Sequence, residues 1–165
     1  MIDRIGNKSE AEGLSESRLP PITTEWQERM KGAFDFLGLN HYVSDIVTTK
    51  VYDTSDPGWH TDHDTASEFD PSWPGSGSSW LKMSPYGFRK LLKWIRDNYN
   101  NTEVIVTENG FSDDDKIGLQ DVRRATYYNN YINQMLKAIK LDGCKVTGYT
   151  AWSLMDNFEW AQGYT

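Results

Sequence analysis

The chain has 165 residues, 38% of them hydrophobic and 13% aromatic, which bounds it to one domain or a large piece of one. There are 17 Lys and Arg against 24 Asp and Glu, a net charge of −7, which argues against a nucleic-acid or anionic-membrane surface. No apolar run approaches the roughly 20 residues that span a bilayer, the polar start MIDRIGNKSEAEG does not read as a signal peptide, and the lone Cys144 excludes an internal disulfide.

Residues 1–22 read as polar and irregular, ending in Leu19-Pro20-Pro21. Thr24-x-x-Gln27 is a capping-box pattern that predicts a helix over 24–32, stopped at Gly32. FDFLGLNHY (34–42) is an apolar run of strand length without clean alternation, as expected of a strand covered on both faces. IVTTKVY (46–52) reads as a second, more exposed strand. Residues 53–79, rich in Ser, Asp, Gly and Pro, read as a long loop.

Ser84-Pro85 predicts a helix start, with Ser as N-cap and Pro in the first turn. Phe88, Leu91, Leu92, Ile95 and Tyr99 keep helical spacing behind it. EVIVT (103–107) reads as a buried strand. Asp121 predicts the cap of a longer helix with Ala125, Tyr128, Ile132, Met135 and Ile139 on one face, closed by Gly143. KVTGYTAWSL (145–154) reads as the last strand, and Cys144 as a small buried thiol at its start.

Strand, helix, strand, helix, strand is the order of βαβ units in a parallel sheet, where sites gather beyond the C-terminal strand ends. The first of these ends delivers Asn40, His41 and Tyr42; the second Glu108 and Asn109; the third Trp152, then Asp156, Asn157, Glu159 and Trp160. A carboxylate beside an amide and a phenol is held ionised and oriented, which suits a nucleophile or an electrostatic stabiliser. Tryptophans flanking an acid suit a sugar, stacking on its C–H faces while the acid accepts from hydroxyls. The plainer alternative is that the tryptophans fill the core and Glu159 is a solvated loop acid.

FDFLGLNHY, VIVTENG and TAWSLMDNFEWAQGYT resemble, in order and spacing, the C-terminal half of family 1 glycoside hydrolases, the β-glucosidase family, and the animal members in particular. RLPPITTEW and SPYGFRKLLKWIRDNY fit as well, so the resemblance covers nearly the whole chain. It implies an α/β fold: a partial (β/α)8 TIM barrel, roughly strands six to eight with intervening helices, without the final helix, and a long loop after strand six. It also implies that residues 1–165 are one portion of a single catalytic domain, incomplete at both ends. A complete barrel takes eight strands and typically about 250 residues.

The resemblance implies roles residue by residue. Glu108 matches the nucleophile of a retaining β-glycosidase, and Tyr42 the tyrosine that hydrogen-bonds it. Asn40 matches an asparagine near the sugar, Trp152 the platform beneath it, and Glu159 and Trp160 the pair that binds its 4- and 6-hydroxyls. Trp80 matches an aromatic lining the aglycone side. The implied substrate is a β-glycoside, small molecule or oligosaccharide, with no cofactor.

The pattern breaks at one point: the family's acid/base glutamate lies in an Asn-Glu-Pro motif, and no such tripeptide occurs here. The isolated chain is therefore expected to be inactive and to depend on the missing N-terminal half of the barrel. Two alternatives follow for the parent protein. One is a thioglucosidase, in which the acid/base position changes because thiolate-type aglycones leave without protonation. The other is a non-catalytic, receptor-like or carbohydrate-binding relative.

Three remaining motifs are weaker. HTDHD (60–64) has ligand chemistry in His60, Asp62, His63 and Asp64, yet reads as a solvated loop rather than a metal site. GSGSS (75–79) reads as a flexible loop, since no Gly-Lys-Ser/Thr follows. The sequons Asn7-Lys8-Ser9 and Asn100-Asn101-Thr102 slightly favour an extracellular or digestive-lumen setting over a cytoplasmic one.

Overall fold

The computed structural model describes residues 2–52, 58–113 and 118–164, with nothing described of the His60 side chain. Contacts group the chain into two units, Met1–Ala33 with Asp45–Asp70 and Phe34–Ser44 with Pro71–Thr165.

In the first unit, residues read as irregular form helix α1 (Ile2–Ala11), whose Ile5 and Ser9 are buried. The polar composition hid this helix, because its partners are charges rather than an apolar face. Lys8 Nζ donates to Asp64 Oδ1 at 2.6 Å and to the Thr61 carbonyl at 2.7 Å, while Arg4 pairs with Asp64 Oδ2 at 2.8 Å. Arg18 pairs with Asp62 and Glu12. The Lys8 ammonium first, then the Arg4 guanidinium, holds the Asp64 carboxyl down at about 2. The HTDHD segment is thus no solvated loop. It includes the short helix α3 (Trp59–Asp62), and its two carboxylates are occupied by cations from α1 and Arg18.

Helix α2 (Thr24–Met30) begins one residue earlier in its capping than the sequence suggests: Thr23 is the N-cap and its side chain accepts from Trp26 N. Gly32 ends the segment at φ 73°, a left-handed value glycine adopts without strain. Strand β2 (Ile46–Thr49) is exposed, as expected, and pairs antiparallel with β3 (Thr65–Glu68). The loop reading of 53–79 missed β3, a four-residue Thr-Ala-Ser-Glu stretch with little strand signal of its own.

The second unit carries the parallel sheet. Strands β1 (Leu37–Asn40), β4 (Val104–Glu108) and β5 (Val146–Tyr149) lie in the order β1-β4-β5, with β4 central and both pairings parallel. Helices α4 (Pro85–Asn98) and α5 (Val122–Lys140) pack on each other and on the sheet. Phe88, Leu92 and Ile95 of α4, Tyr127, Tyr131, Met135 and Ala138 of α5, and Val104 and Val106 of β4 form one core, with Cys144 buried at its margin. Each large apolar side chain in it contributes about 1.5–3 kcal/mol by leaving water.

Two expectations need correction. The buried stripe of α5 is Tyr127, Tyr131, Met135 and Ala138; Ala125 is exposed, and Tyr128, Ile132 and Ile139 only flank the core. A stripe anchored on Tyr128 and one anchored on Tyr127 differ by 100° of helix rotation, and the sequence offers aromatics at both. Second, β1 alternates between half-buried Leu37 and Leu39 and exposed Gly38 and Asn40, so its residues are covered on the helix side alone.

Helix ends follow local chemistry. Asp121 caps α5, its side chain accepting from Arg124 N at 3.1 Å. Ser84 precedes Pro85 but makes no cap bond; its hydroxyl accepts from Ser44 N at 2.9 Å instead, tying the loop after β1 to the start of α4.

Candidate active site

The strands β1 and β4 stay in register from Leu37↔Val104 to Leu39↔Val106, then slip so that Asn40 faces Glu108. Such irregularities re-aim side chains, and this one falls where the chemistry-bearing residues begin. Thr107, passed over by the slip, donates through Oγ1 to Asn40 Oδ1 at 2.6 Å. His41 N donates to the Glu108 carbonyl at 3.0 Å, so one more backbone bond joins the strand ends.

Beyond that bond, Tyr42 Oη donates to Glu108 Oε2 at 2.6 Å, a short bond of the kind made to a charged acceptor. Burial, then the Glu108 hydrogen bond and charge, then the Glu159 charge push the Tyr42 phenol far above its ordinary value, so it remains a donor. Trp80 stands edge-on to the Tyr42 ring, centroids 6.0 Å apart at 77°. The loop carrying Trp80 is not loose. Ser112 Oγ lies within hydrogen-bond distance of Ser76 Oγ and Ser78 Oγ, at 3.0 and 2.8 Å, and Gly77 N and Ser78 N donate to the Ser112 carbonyl and hydroxyl. The GSGSS segment is therefore pinned to the chain just past β4, a cross-link that no local pattern announces.

The third strand end is joined through main chain. Trp152 N donates to the Asn109 carbonyl at 2.8 Å, and Tyr128 Oη donates to the Trp152 carbonyl at 2.9 Å. The Trp152–Ser153 peptide is cis. Gly110 lies against this carbonyl so closely that a Cβ there would sit 1.8 Å from the Trp152 oxygen. Only glycine permits that approach.

The structure thus brings Glu108, Tyr42, Asn40 and Trp80 together at adjoining strand ends, with Trp152 bonded to the residue after Glu108. Glu159 lies near enough for its charge to act on Tyr42. Trp160, 83% exposed at φ 48°, starts a short 3-10 turn (Trp160–Gln162), and no hydrogen bond or ring pair ties it to Glu108 or Tyr42.

Sequence reasoning overlooked the support beneath these groups. Asn109, fully buried, donates from Nδ2 to the His41 carbonyl at 2.7 Å and to Tyr127 Oη at 2.8 Å, and accepts from Tyr149 Oη at 2.7 Å. The i, i+4 pair Tyr127 and Tyr131 is the signal that pointed to it: two phenols on one helix face need partners when that face is buried. His41 is also buried, over Phe88 at 4.9 Å, and desolvation lowers its imidazole to about 4, so it is neutral.

Among the described residues no group of three or more His, Cys, Asp or Glu is placed to hold a metal ion, and no helix is long and apolar enough to cross a membrane.

The family model for glycosyl hydrolase family 1 matches residues 3–165, and the chain belongs to that family. Human lactase/phlorizin hydrolase is 45% identical across 100% of this chain, which covers 8% of that protein. Human cytosolic beta-glucosidase is 37% identical over 98% of the chain and 34% of its own length. The solved structure of aphid myrosinase superposes with a TM-score of 0.85 at 38% identity, over 98% of this chain and 34% of that one. The chain therefore spans about a third or less of the length of these relatives.

Proposed function

We propose that these residues are the nucleophile-bearing part of a retaining β-glycosidase that hydrolyses O-linked β-glucosides or related β-glycosides. The observation that carries this reading is the 2.6 Å bond from Tyr42 Oη to Glu108 Oε2 at the C-terminal ends of two adjacent parallel strands. One oxygen of Glu108 is thereby fixed by a donor, which leaves the other to act on a substrate.

The chain contributes the parts of a (β/α)8 catalytic domain that correspond to strands six to eight and the helices between them. A second carboxyl group, about 5–5.5 Å from Glu108, comes from residues outside these 165. The C–O bond to the aglycone breaks as the Glu108 oxygen bonds to the anomeric carbon, and the second group delivers its proton to the departing oxygen. Water then attacks the same carbon, returns a proton to the second group and frees Glu108. Trp152 lies beneath the sugar, Glu159 and Trp160 bind its 4- and 6-hydroxyls, Asn40 stands near it, and Trp80 lines the aglycone side. Relatives named lactase/phlorizin hydrolase and cytosolic beta-glucosidase support β-glycosides as the substrate class.

One observation favours a second reading: relatives named as myrosinases match in sequence and in fold, at 39% identity and a TM-score of 0.85. Hydrolysis of paired O- and S-linked aryl β-glucosides by the longest polypeptide carrying these residues decides between them. O-glucoside turnover abolished by Glu108→Gln is expected. Turnover confined to the S-glucoside establishes the thioglucosidase, and turnover of either substrate that survives Glu108→Gln contradicts both.

A further inference from the structure

Tyr42 does not hold its own position. It lies two residues past the end of β1, where the ladder of backbone bonds has stopped, and two phenols fix it from below. Its carbonyl accepts from Tyr127 Oη at 2.9 Å and from Tyr131 Oη at 3.1 Å. Tyr127 Oη also accepts from Asn109 Nδ2, and Asn109 follows Glu108 in the chain. Tyr131 Oη accepts in turn from Ser84 N at 3.0 Å.

These bonds close a ring. It runs from the Glu108 carboxylate to the Tyr42 phenol, through Tyr42's own backbone to its carbonyl, on to Tyr127 Oη and Asn109, and back along one peptide to Glu108. Tyr127 is the one member on a helix, the inner face of α5. We infer that Tyr127, assisted by Tyr131, is a positioning residue for the nucleophile. It never meets substrate, and it sets the separation of Tyr42 Oη and Glu108 Oε2 by holding the Tyr42 carbonyl and the side chain of Asn109, the residue after Glu108, to one buried phenol.

Packing does not account for the hydroxyls. Tyr127 and Tyr131 are fully buried and stacked, centroids 4.0 Å apart at 20°, with Phe111 5.0 Å beyond Tyr127. Two phenylalanines would fill this stack and avoid burying two polar groups. The phenols are instead both aimed at a single carbonyl, and each of them also accepts a bond. Burial pushes both phenols up, so both remain donors.

This inference rests on Glu108 being the nucleophile, and its test separates the two ideas. The longest polypeptide carrying these residues is treated with a 2-deoxy-2-fluoro β-glucoside bearing a dinitrophenolate leaving group. That leaving group needs no acid, so the inactivation rate constant reports the attack by Glu108 alone. Labelling stoichiometry counts competent sites, and the rate constant is read per labelled site. A purely structural role would lower the stoichiometry or the melting temperature and leave the rate per site unchanged.

Tyr127→Phe is expected to label to full stoichiometry but about 10–100-fold more slowly, with unchanged saturation concentration, since a misplacement near 1 Å can cost on the order of 10²-fold. Tyr131→Phe, which leaves the Asn109 link intact, is expected to slow labelling less, and it carries the test should Tyr127→Phe fail to fold. Rates per site within about twofold of wild type in whichever variant folds overturn the positioning role while leaving Glu108 as nucleophile. A wild-type protein that labels elsewhere, or not at all, overturns the underlying reading and the positioning role with it.

Discussion

Replacing Gly110 by alanine tests the joint between the strand carrying Glu108 and the segment carrying Trp152. A Cβ at this position meets the Trp152 carbonyl oxygen at 1.8 Å, its carbon at 2.8 Å and Tyr128 Oη at 3.3 Å. Two of those three atoms are backbone, so no rotamer change relieves the contact. Trp152 must withdraw, and two bonds go with it: Tyr128 Oη to the Trp152 carbonyl, and Trp152 N to the Asn109 carbonyl. Each is worth about 1 kcal/mol net, and the forced backbone shift costs about 1–3 kcal/mol more. The expected loss is about 3–5 kcal/mol, which at a urea dependence of about 2 kcal/mol/M lowers the unfolding midpoint of the longest polypeptide carrying these residues by roughly 1.5–2.5 M. Gly148→Ala is the matched control, because the three atoms nearest its Cβ all belong to the Ile105 side chain, the first at 3.0 Å, and none is backbone. A midpoint for Gly110→Ala that falls no further than that of Gly148→Ala would refute the close-approach argument.

Three further outcomes are expected. His41 is buried neutral at about 4 against an ordinary 6.5, so the unfolded chain binds the proton first. Stability therefore falls as pH drops through 6.5 and levels off below about 4, a loss of about 3 kcal/mol that His41→Phe removes from urea titrations across that range. The Asp64 carboxyl is held at about 2, below its ordinary 3.8, so its ion pairs add stability above pH 3.8 that disappears as pH falls toward 2. Asp64→Asn should accelerate hydrogen exchange in α1 and leave α4 and α5 unchanged; equal protection of α1 in both proteins counts against the charge clamp. Expressed alone, the 165 residues should be marginal or aggregation-prone and without turnover, since Phe34 and Phe36 are 55% and 47% exposed and β1 has a free edge. A sharp two-state melt of a purified monomer contradicts this.

The elements that announced themselves did so through period and punctuation. EVIVT reads as a buried strand because β4 is central and Val104 and Val106 face α4 and α5, and Ser84-Pro85 and Asp121 mark real helix starts. Helix α1 and strand β3 stayed hidden because ion pairs and a single antiparallel partner hold them, not an apolar stripe. At the site, Glu108, Tyr42, Asn40 and Trp152 were legible as residues at the ends of apolar runs. Their support was not. Which phenol of the adjacent pair Tyr127 and Tyr128 turns inward depends on the rotation of α5 against α4, a property of packing between distant segments. Likewise, the bond from Tyr127 to the Tyr42 carbonyl spans 85 residues, and no local spacing encodes it.

The most direct measurement is the site of covalent capture. The longest polypeptide carrying these residues is incubated with a 2-deoxy-2-fluoro β-glucoside, digested, and sequenced by tandem mass spectrometry. The account predicts one glycosyl adduct on Glu108 within the peptide containing Thr107-Glu108-Asn109-Gly110, absent in Glu108→Gln. An adduct on any other carboxylate, or unchanged capture in Glu108→Gln, would contradict it.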